Sequence, residues 1–281
     1  MATAATTTTR LRYEQIKPKI GAVIQSTKEE LLSGELSDEI NALLEERCVL
    51  IFPQLNLTDA EQVKFSDLLG GNAMEIRGEE VFKVSLDKKV NQSVAEYLLG
   101  SLYWHIDGTM NPIPIRASML SAKVLAPEGG DTLFANTATA YEDLPEAKKA
   151  EIENLRVQHS LWNSALYHTP EPTDAQLDDW QSKGEADVPL VVKHKSGRKS
   201  LVLGNTAAHV IGKDYRESAQ ILHKLRNFAT SEPYTYRHVW TVGDTVLWDN
   251  RTSMHRATPY DPDCGRMMHR TILKGGEAWD Q

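Results

Sequence analysis

Short apolar segments separated by turn residues fill the second half of this chain, and they limit its fold more than any other feature. Segments with strand character cover 117–125, 132–134, 188–194, 200–203, 235–242, 245–248 and 267–273. β-Branched and aromatic residues are common in them, and Gly, Pro, Asp or Ser follow most of them. The βαβ alternation and the GxGxxG motif of parallel sheets do not occur. A β-rich, mixed α/β fold is therefore expected, such as a double-sheet jelly roll with helical cover.

The first half adds helices and further strands to this pattern. Residues 37–48 are predicted to be a helix, because they carry an apolar stripe and Ser37 can cap its start. Val49–Phe52 follows as a predicted buried strand. Thr58 to Glu61 is a capping box that begins a second helix. Residues 81–86 are a strand candidate and 87–103 a polar loop. Further along, Leu144-Pro145 begins a short helix and 214–228 a longer amphipathic one. The strands at 235–242 and 245–248 flank a tight turn, which indicates a hairpin.

Length, charge and cysteine content exclude several classes of protein. The 281 residues suit one large or two small domains, and the net charge of −8 argues against nucleic acid as the main partner. Cys48 and Cys264 are isolated thiols, which favours a reducing cytoplasm and excludes a disulfide framework. No apolar run reaches the length of a membrane span. Residues 1–12, rich in Ala and Thr, are expected to be a disordered tail.

Residues suited to metal binding lie between Tyr103 and Thr109. His105 and Asp107 are two positions apart, so in extended backbone both side chains point the same way. His255, after a predicted strand and therefore at a strand end or in a loop, would complete a set of two imidazoles and one carboxylate. That set leaves coordination positions open and suits non-haem Fe(II) and oxygen chemistry. A hydrogen-bonded strand-end His and a surface His in a polar loop are the simpler alternatives.

Two arginines and one threonine suit the binding of a small acid. Arg266 and Arg270 are four positions apart on the last predicted strand and so share a face. Guanidinium groups on a buried face need anions, and arginine binds carboxylates in a bidentate manner. Internal salt bridges would satisfy the same pair. Thr132, after Gly129-Gly130-Asp131, can donate a hydrogen bond to the same carboxylate, although Gly-Gly-Asp is also ordinary turn chemistry.

Residues 162–189 have the composition of a long loop with a function. Four turn-forming Pro and Gly residues interrupt it, yet it carries Trp162, Tyr167 and Trp180. A long loop inside a compact domain is usually functional, often as a lid over a site. We therefore expect Trp162 and Tyr167 to form apolar walls around a bound substrate.

These motifs follow one another in the order and spacing of one known family. They are Trp104-His105-Ile106-Asp107-Gly108-Thr109, Gly129-Gly130-Asp131-Thr132, Trp248-Asp249-Asn250-Arg251 through His255, and Arg266 to Arg270. The chain resembles the Fe(II)/2-oxoglutarate-dependent dioxygenases of the taurine and 2,4-dichlorophenoxyacetate dioxygenase type (TauD/TfdA) over about residues 15–275. The resemblance implies a single dioxygenase domain over 13–281 with a double-stranded β-helix, or jelly roll, fold.

The same resemblance assigns roles to individual residues. It implies that His105, Asp107 and His255 bind Fe(II), and that Thr132 and Arg266 hold the distal carboxylate of the cosubstrate 2-oxoglutarate, with Trp248 packed nearby. It implies that Arg270 binds an anionic substrate or assists the cosubstrate. Gly108 and Asn72 are further candidates for substrate contact. The reaction would consume O2, hydroxylate a substrate carbon and release succinate and CO2.

The substrate expected from the sequence is a small carboxylic acid with an apolar, aryloxyalkanoate-like body. The taurine enzymes bind a sulfonate through a His in the region of residues 70–75, whereas no His precedes His105 here. Residues 203–212 resemble the aryloxyalkanoate enzymes of the family. Three alternatives stay open: an alkyl sulfate or sulfonate dioxygenase, a non-catalytic sensor that binds metal and 2-oxoglutarate, and a zinc hydrolase. A homo-oligomer is expected, with neither nucleic acid nor membrane as a partner.

Overall fold

The computed structural model describes residues 10–74, 78–92 and 94–280, and its centre is a large mixed sheet. The strands are β1 Tyr13–Lys17, β2 Ile20–Ile24, β3 Val49–Phe52, β4 Asn72–Ala73, β5 Phe82–Val84, β6 Ala117–Val124, β7 Thr132–Asn136, β8 Arg156–Ser160, β9 Glu185–Pro189, β10 Val191–Lys193, β11 Lys199–Leu201, β12 Ala207–Val210, β13 Thr235–His238, β14 Thr245–Asp249, β15 Ser253–Ala257 and β16 Met267–Leu273. The large sheet has the order β1-β2-β3-β14-β6-β16-β4, and β5 also pairs with β16.

Among the described residues, three smaller sheets accompany the large one, and the one ordered β13-β7-β15 faces it. Phe134 of β7 contacts the indole of Trp248 of β14 at 5.5 Å between ring centroids. Val246 and Met268 of the large sheet belong to the same buried cluster. The other two small sheets have the orders β12-β8-β9 and β10-β11. The two sheets pack face to face and are antiparallel except for the pair β2 and β3, which confirms the predicted jelly roll.

Helices cover the outside of this double sheet. They are α1 Lys28–Ser33, α2 Ser37–Arg47, α3 Asp59–Leu68, α4 Ala95–Leu98, α5 Thr137–Glu142, α6 Glu146–Ile152, α7 Leu161–Leu166, α8 Asp174–Ser182 and α9 Tyr215–Ala229, with 3-10 helices at Leu99–Leu102 and Glu232–Tyr234. The predicted capping box at Thr58 and Glu61 begins α3. α2 begins at Ser37, the first residue of the predicted helix, but its N-cap position is Leu36 and Ser37 does not cap it. Across the described residues, no helix is long and apolar enough to cross a membrane.

The predicted hairpin at 235–248 is wrong. β13 pairs with β7 in the small sheet, whereas β14 lies between β3 and β6 in the large one. Residues 239–244 therefore carry the chain from one sheet to the other, and Gly243 bonds to Ala122 of β6 on the way. A tight turn in the sequence looks the same whether the strands beside it pair with each other or with different sheets.

Two segments predicted as loops contain helices. Residues 87–103 include α4 and a 3-10 helix, and residues 162–189 include α7, α8 and β9. Thr173 and Gln176 form a capping box that begins α8, and Ser160 caps α7. These local signals outweigh the nearby Pro and Gly residues. The predicted tail over 1–12 lies mostly outside the described residues, while Leu11 is buried and Arg12 pairs with Glu30.

Candidate metal centre

Backbone pairing brings His105 and His255 together. His105 donates its N–H to the carbonyl of His255 at 3.0 Å and accepts the N–H of His255 at 2.9 Å. Residues that exchange both hydrogen bonds in this way project their side chains to the same side. Their imidazole centroids are 4.1 Å apart. His255 lies within β15, not in the predicted loop or strand end.

Asp107 completes a compact cluster with the two histidines. Its Oδ1 lies 3.6 Å from His105 Nε2, and its Oδ2 lies 3.7 Å from His255 Nε2. One ligand atom from each residue falls within 4.8 Å of the other two, and the set is buried or half-buried. The expected geometry, in which positions i and i+2 point the same way, is observed for His105 and Asp107. The structure thus brings the three predicted metal ligands together.

The surroundings of the cluster orient His105 and favour a neutral His255 and an ionised Asp107. His105 Nδ1 lies 2.9 Å from the carbonyl of Tyr103, so Nδ1 donates to that oxygen and Nε2 faces Asp107. Burial and the neighbouring His105 hold the pKa of His255 well below its usual value, so this imidazole is neutral. Burial opposes ionisation of Asp107, but the positive charge of Arg270 leads the effects that hold its pKa well below the ordinary range.

A cavity of about 60 Å³, which we call the cosubstrate cavity, adjoins the cluster and is lined by the predicted cosubstrate residues. His105 and His255 form one end of it, and Thr132, Trp248 and Arg266 form its walls, together with Tyr260. Arg266 is 3% exposed and donates to the carbonyl of Gly130 at 2.9 Å. Its guanidinium lies over the Tyr260 ring at 4.7 Å.

Arg266 has the features of a carboxylate-binding residue. Among the described residues no carboxylate lies within 4.0 Å of it, and its buried Nε makes no hydrogen bond. Burying such a charge without an anion is unfavourable. Thr132, opposite, accepts the indole N–H of Trp240 at 3.0 Å, which leaves its hydroxyl proton to be donated. These residues fit an acid such as 2-oxoglutarate, and the neighbouring His-Asp-His set fits a divalent metal.

Gly130 has a role that turn chemistry alone does not explain. It has a φ of +75°, and a Cβ at this position would lie 2.8 Å from Arg266 Nε. Gly130 therefore makes room for the guanidinium and also binds it through its carbonyl. Asp131 beside it pairs with Arg237 at 2.6 Å, on the outside of the turn.

Arg270 lines both the cosubstrate cavity and a second cavity, which shares His105 with it. Its Nη1 is 3.5 Å from Asp107 Oδ1, and its guanidinium lies over the Phe82 ring at 5.5 Å. The second cavity is also about 60 Å³, and Asp107 lines it. Its other described wall residues, which sequence reasoning did not identify, include Tyr97, Leu98, Ser101, Leu161, Ser164 and Asn205.

The remaining residues predicted for substrate contact do not line this second cavity. Trp162 donates its indole N–H to Glu185 at 3.1 Å. Tyr167 packs against Tyr103 at 5.2 Å and faces a separate cavity next to α9. Asn72 lies in β4 at the edge of the large sheet and donates to the carbonyl of Glu80. Gly108 follows Asp107 in a turn with a φ of +70°, and Ile115 lies against it.

A jelly roll with a buried His-Asp-His set and an adjacent arginine-lined cavity defines the class of metal- and 2-oxo-acid-dependent oxygenases. The family described as taurine catabolism dioxygenase TauD, TfdA family, matches residues 12–272. The chain therefore belongs to the TauD/TfdA family of α-ketoglutarate-dependent dioxygenases, which are oxidoreductases.

Individual relatives and one solved structure agree with this membership. The chain is 34% identical to an (S)-phenoxypropionate/α-ketoglutarate dioxygenase of Sphingobium herbicidovorans, over 92% of this chain and 93% of that one. It is 31% identical to an alkylsulfatase of Acinetobacter baylyi, over 95% and 86% of the two chains. The crystal structure of AAD-2 in complex with Mn(II) and N-oxalylglycine superposes with a TM-score of 0.81 at 31% identity and covers 95% and 98%.

Proposed function

We propose that this protein uses Fe(II), 2-oxoglutarate and O2 to hydroxylate a small carboxylic acid with an apolar, aryloxyalkanoate-like body. The observation that carries the proposal is the buried Arg266, which has no carboxylate within 4.0 Å in the described part of the chain and lies in a cavity lined also by His105 and His255. That arrangement holds a dicarboxylate next to a metal.

The residues of the site have distinct tasks in this proposal. His105, Asp107 and His255 hold the metal, and Arg266 and Thr132 bind the distal carboxylate of 2-oxoglutarate. Bound Fe(II), together with 2-oxoglutarate and O2, supplies the oxidising power for hydroxylation, with succinate and CO2 as co-products. Trp248 packs against His255 at 4.6 Å between ring centroids, which closes this side of the cavity. The protein's contribution is to fix positions and to exclude water.

The second cavity, which is lined by Asp107 and Arg270, is our candidate for the substrate site. Arg270 lies in its wall and provides a positive charge for an acid group. Tyr97, Leu161 and Ser164 are shared between this cavity and a larger groove of about 540 Å³, which also contains Trp180. An apolar body can therefore extend outward from the metal into the groove. We propose that α7 and α8, within the expected lid 162–189, close over it.

An alkyl sulfate is the second candidate substrate. The 31% identity to the alkylsulfatase favours it, and Arg270 would bind a sulfate as readily as a carboxylate. A non-catalytic sensor is the alternative from another class. It would bind metal and 2-oxoglutarate but would form no succinate in response to a substrate.

The deciding experiment is a screen for substrate-dependent succinate release, with Fe(II), 2-oxoglutarate and O2 present. Aryloxyalkanoates, other carboxylates, alkyl sulfates and sulfonates form the panel, and Asp107→Ala is the inactive control. We expect aryloxyalkanoates to give the highest rates. Release with sulfates alone would select the second candidate, and no release with any compound, despite binding of 2-oxoglutarate, would favour the sensor. Light scattering on the same sample tests the expected homo-oligomer.

A further inference from the structure

A chain of buried hydrogen bonds connects the indole of Trp248 to the carboxylate of Asp107. Trp248 Nε1 donates to Asn250 Oδ1 at 3.0 Å, and Asn250 Nδ2 donates to Ser118 Oγ at 2.9 Å. Ser118 Oγ donates to Asp107 Oδ2 at 2.7 Å. Trp248, Asn250 and Ser118 are each at most 1% exposed, so water cannot replace these bonds. The sequence motifs singled out Trp248 and Asp107 but gave no role to Ser118 or Asn250.

The direction of every bond in this chain is fixed by its two ends. An indole N–H can only donate, so the amide oxygen of Asn250 must face Trp248 and its NH2 group must face Ser118. Ser118 Oγ accepts that bond, which leaves its single proton for Asp107. An ionised carboxylate can only accept. The four groups therefore form one polarised network with a single arrangement of protons, and such fully satisfied networks hold their members rigidly.

The network anchors Asp107 to the middle of the large sheet. Ser118 lies on β6, where it is the register partner of Trp248 on β14 and of Ile272 on β16. Asp107 itself lies in a turn outside any strand. The other side chains that approach its carboxylate are farther away: Arg270 at 3.5 Å and the two imidazoles at 3.6 and 3.7 Å.

We propose that Ser118 and Asn250 are positioning residues that set the orientation of the Asp107 carboxylate toward the metal, with Trp248 as the fixed end of the chain. The inference rests on the proposed function, since it assigns Asp107 to the metal. Trp248 thereby supports two ligands at once, because its ring packs against His255 while its N–H starts the chain to Asp107. Groups that orient metal ligands from behind typically change metal affinity by about 10- to 100-fold.

Co(II) titration of the full-length protein tests this directly, by absorption spectroscopy and without turnover. Ser118→Ala removes the donor to Asp107, and Ser121→Ala is the matched control. Ser121 is also buried on β6, but its hydroxyl bonds to Thr245 at 2.9 Å, away from the metal ligands. We expect Ser118→Ala to bind Co(II) about 10- to 100-fold more weakly with an altered visible spectrum. Ser121→Ala should match the wild type in both respects.

A second variant separates positioning from a general loss of packing. Trp248→Phe keeps an aromatic ring beside His255 but removes the N–H, and we expect a smaller loss of Co(II) affinity in the same direction. Thermal unfolding of the metal-free variants shows that each is folded. Equal Co(II) affinities for Ser118→Ala, Ser121→Ala and the wild type would overturn the proposal alone. A wild-type protein that binds no Co(II) would overturn the proposed function as well.

Discussion

Arg266 has surroundings that are unusual for a buried arginine. A buried guanidinium usually has a carboxylate partner, yet this one has a carbonyl, a tyrosine ring and an unbonded Nε. We expect Arg266→Gln to raise the KM for 2-oxoglutarate by one to two orders of magnitude, because a hydrogen bond to a charged group contributes about 1.5–3 kcal/mol. The change in kcat at saturating 2-oxoglutarate should be smaller. Initial rates of succinate formation measure both.

Arg237 is the matched control for this substitution. It pairs with Asp131 in the same turn, but its side chain is 59% exposed and lies outside the cosubstrate cavity. Arg237→Gln should leave the KM for 2-oxoglutarate unchanged within about twofold, as expected for an exposed ion pair. A similar rise in both variants would mean that the turn, and not the guanidinium of Arg266, determines binding.

At the scale of elements, β8 carries a titratable group that links folding to pH. His159 is fully buried, and burial lowers its pKa to about 3. The folded protein therefore keeps His159 neutral, while the unfolded chain protonates it below about pH 6.5. Since the unfolded state binds more protons between these values, stability must fall as the pH falls through that window. This one group contributes at most about 1.4 kcal/mol per pH unit.

Urea unfolding at several pH values measures that contribution. We expect the free energy of unfolding of His159→Gln to fall less steeply than that of the wild type between pH 6.5 and 4.5. Other buried histidines, such as His194, also have lowered pKa values, so the wild-type slope contains more than one group. The difference between the two slopes isolates His159. Parallel curves for the two proteins would show that folding does not lower the pKa of His159.

The helix α8 is the element best suited to move over the site. None of its residues is buried, so little apolar packing holds it in place. Gln176 on α8 donates a hydrogen bond to Glu96 at 3.1 Å. Glu96 lines the groove of about 540 Å³ that adjoins the second cavity. We expect backbone amides of α8 to exchange more slowly when metal, 2-oxoglutarate and substrate are bound together. The amides of α9, away from the groove, serve as the internal control, and unchanged exchange in α8 would reject the lid.

Elements predicted from the sequence were correct where the signal was local. Val49–Phe52 and α3 follow from an apolar run and a capping box, and the shared direction of His105 and Asp107 follows from the two-residue period of extended backbone. Which strands pair is a long-range property, so the sheet change after β13 was missed. Ser118 and Asn250 were missed for the same reason, since they meet only through the pairing of β6 with β14. Aromatic content alone selected Trp162, whose side chain faces Glu185.

At the scale of the whole molecule, the site joins two sheets. His255 belongs to the small sheet with β7, whereas Arg266 and Arg270 flank or lie in β16 of the large one. Asp107 is tied to the large sheet by Ser118. The net charge of −8 would repel dianions, but two arginines line the cavity and reverse the sign locally. We therefore expect 2-oxoglutarate to bind more tightly when the metal is bound. Because the binding residues come from both sheets, the two ligands should stabilise the whole fold.

Thermal unfolding with Mn(II) and 2-oxoglutarate tests this coupling. A ligand at 100 times its Kd adds about 2.7 kcal/mol, and in a chain of this size each kcal/mol raises Tm by about 2–4 °C. We expect the two ligands together to raise the Tm by more than Mn(II) alone. Arg266→Gln should keep the Mn(II) increment and lose most of the 2-oxoglutarate increment. Asp107→Ala should lose both, because one end of the dicarboxylate depends on the metal; a full increment in that variant would show that 2-oxoglutarate binds elsewhere.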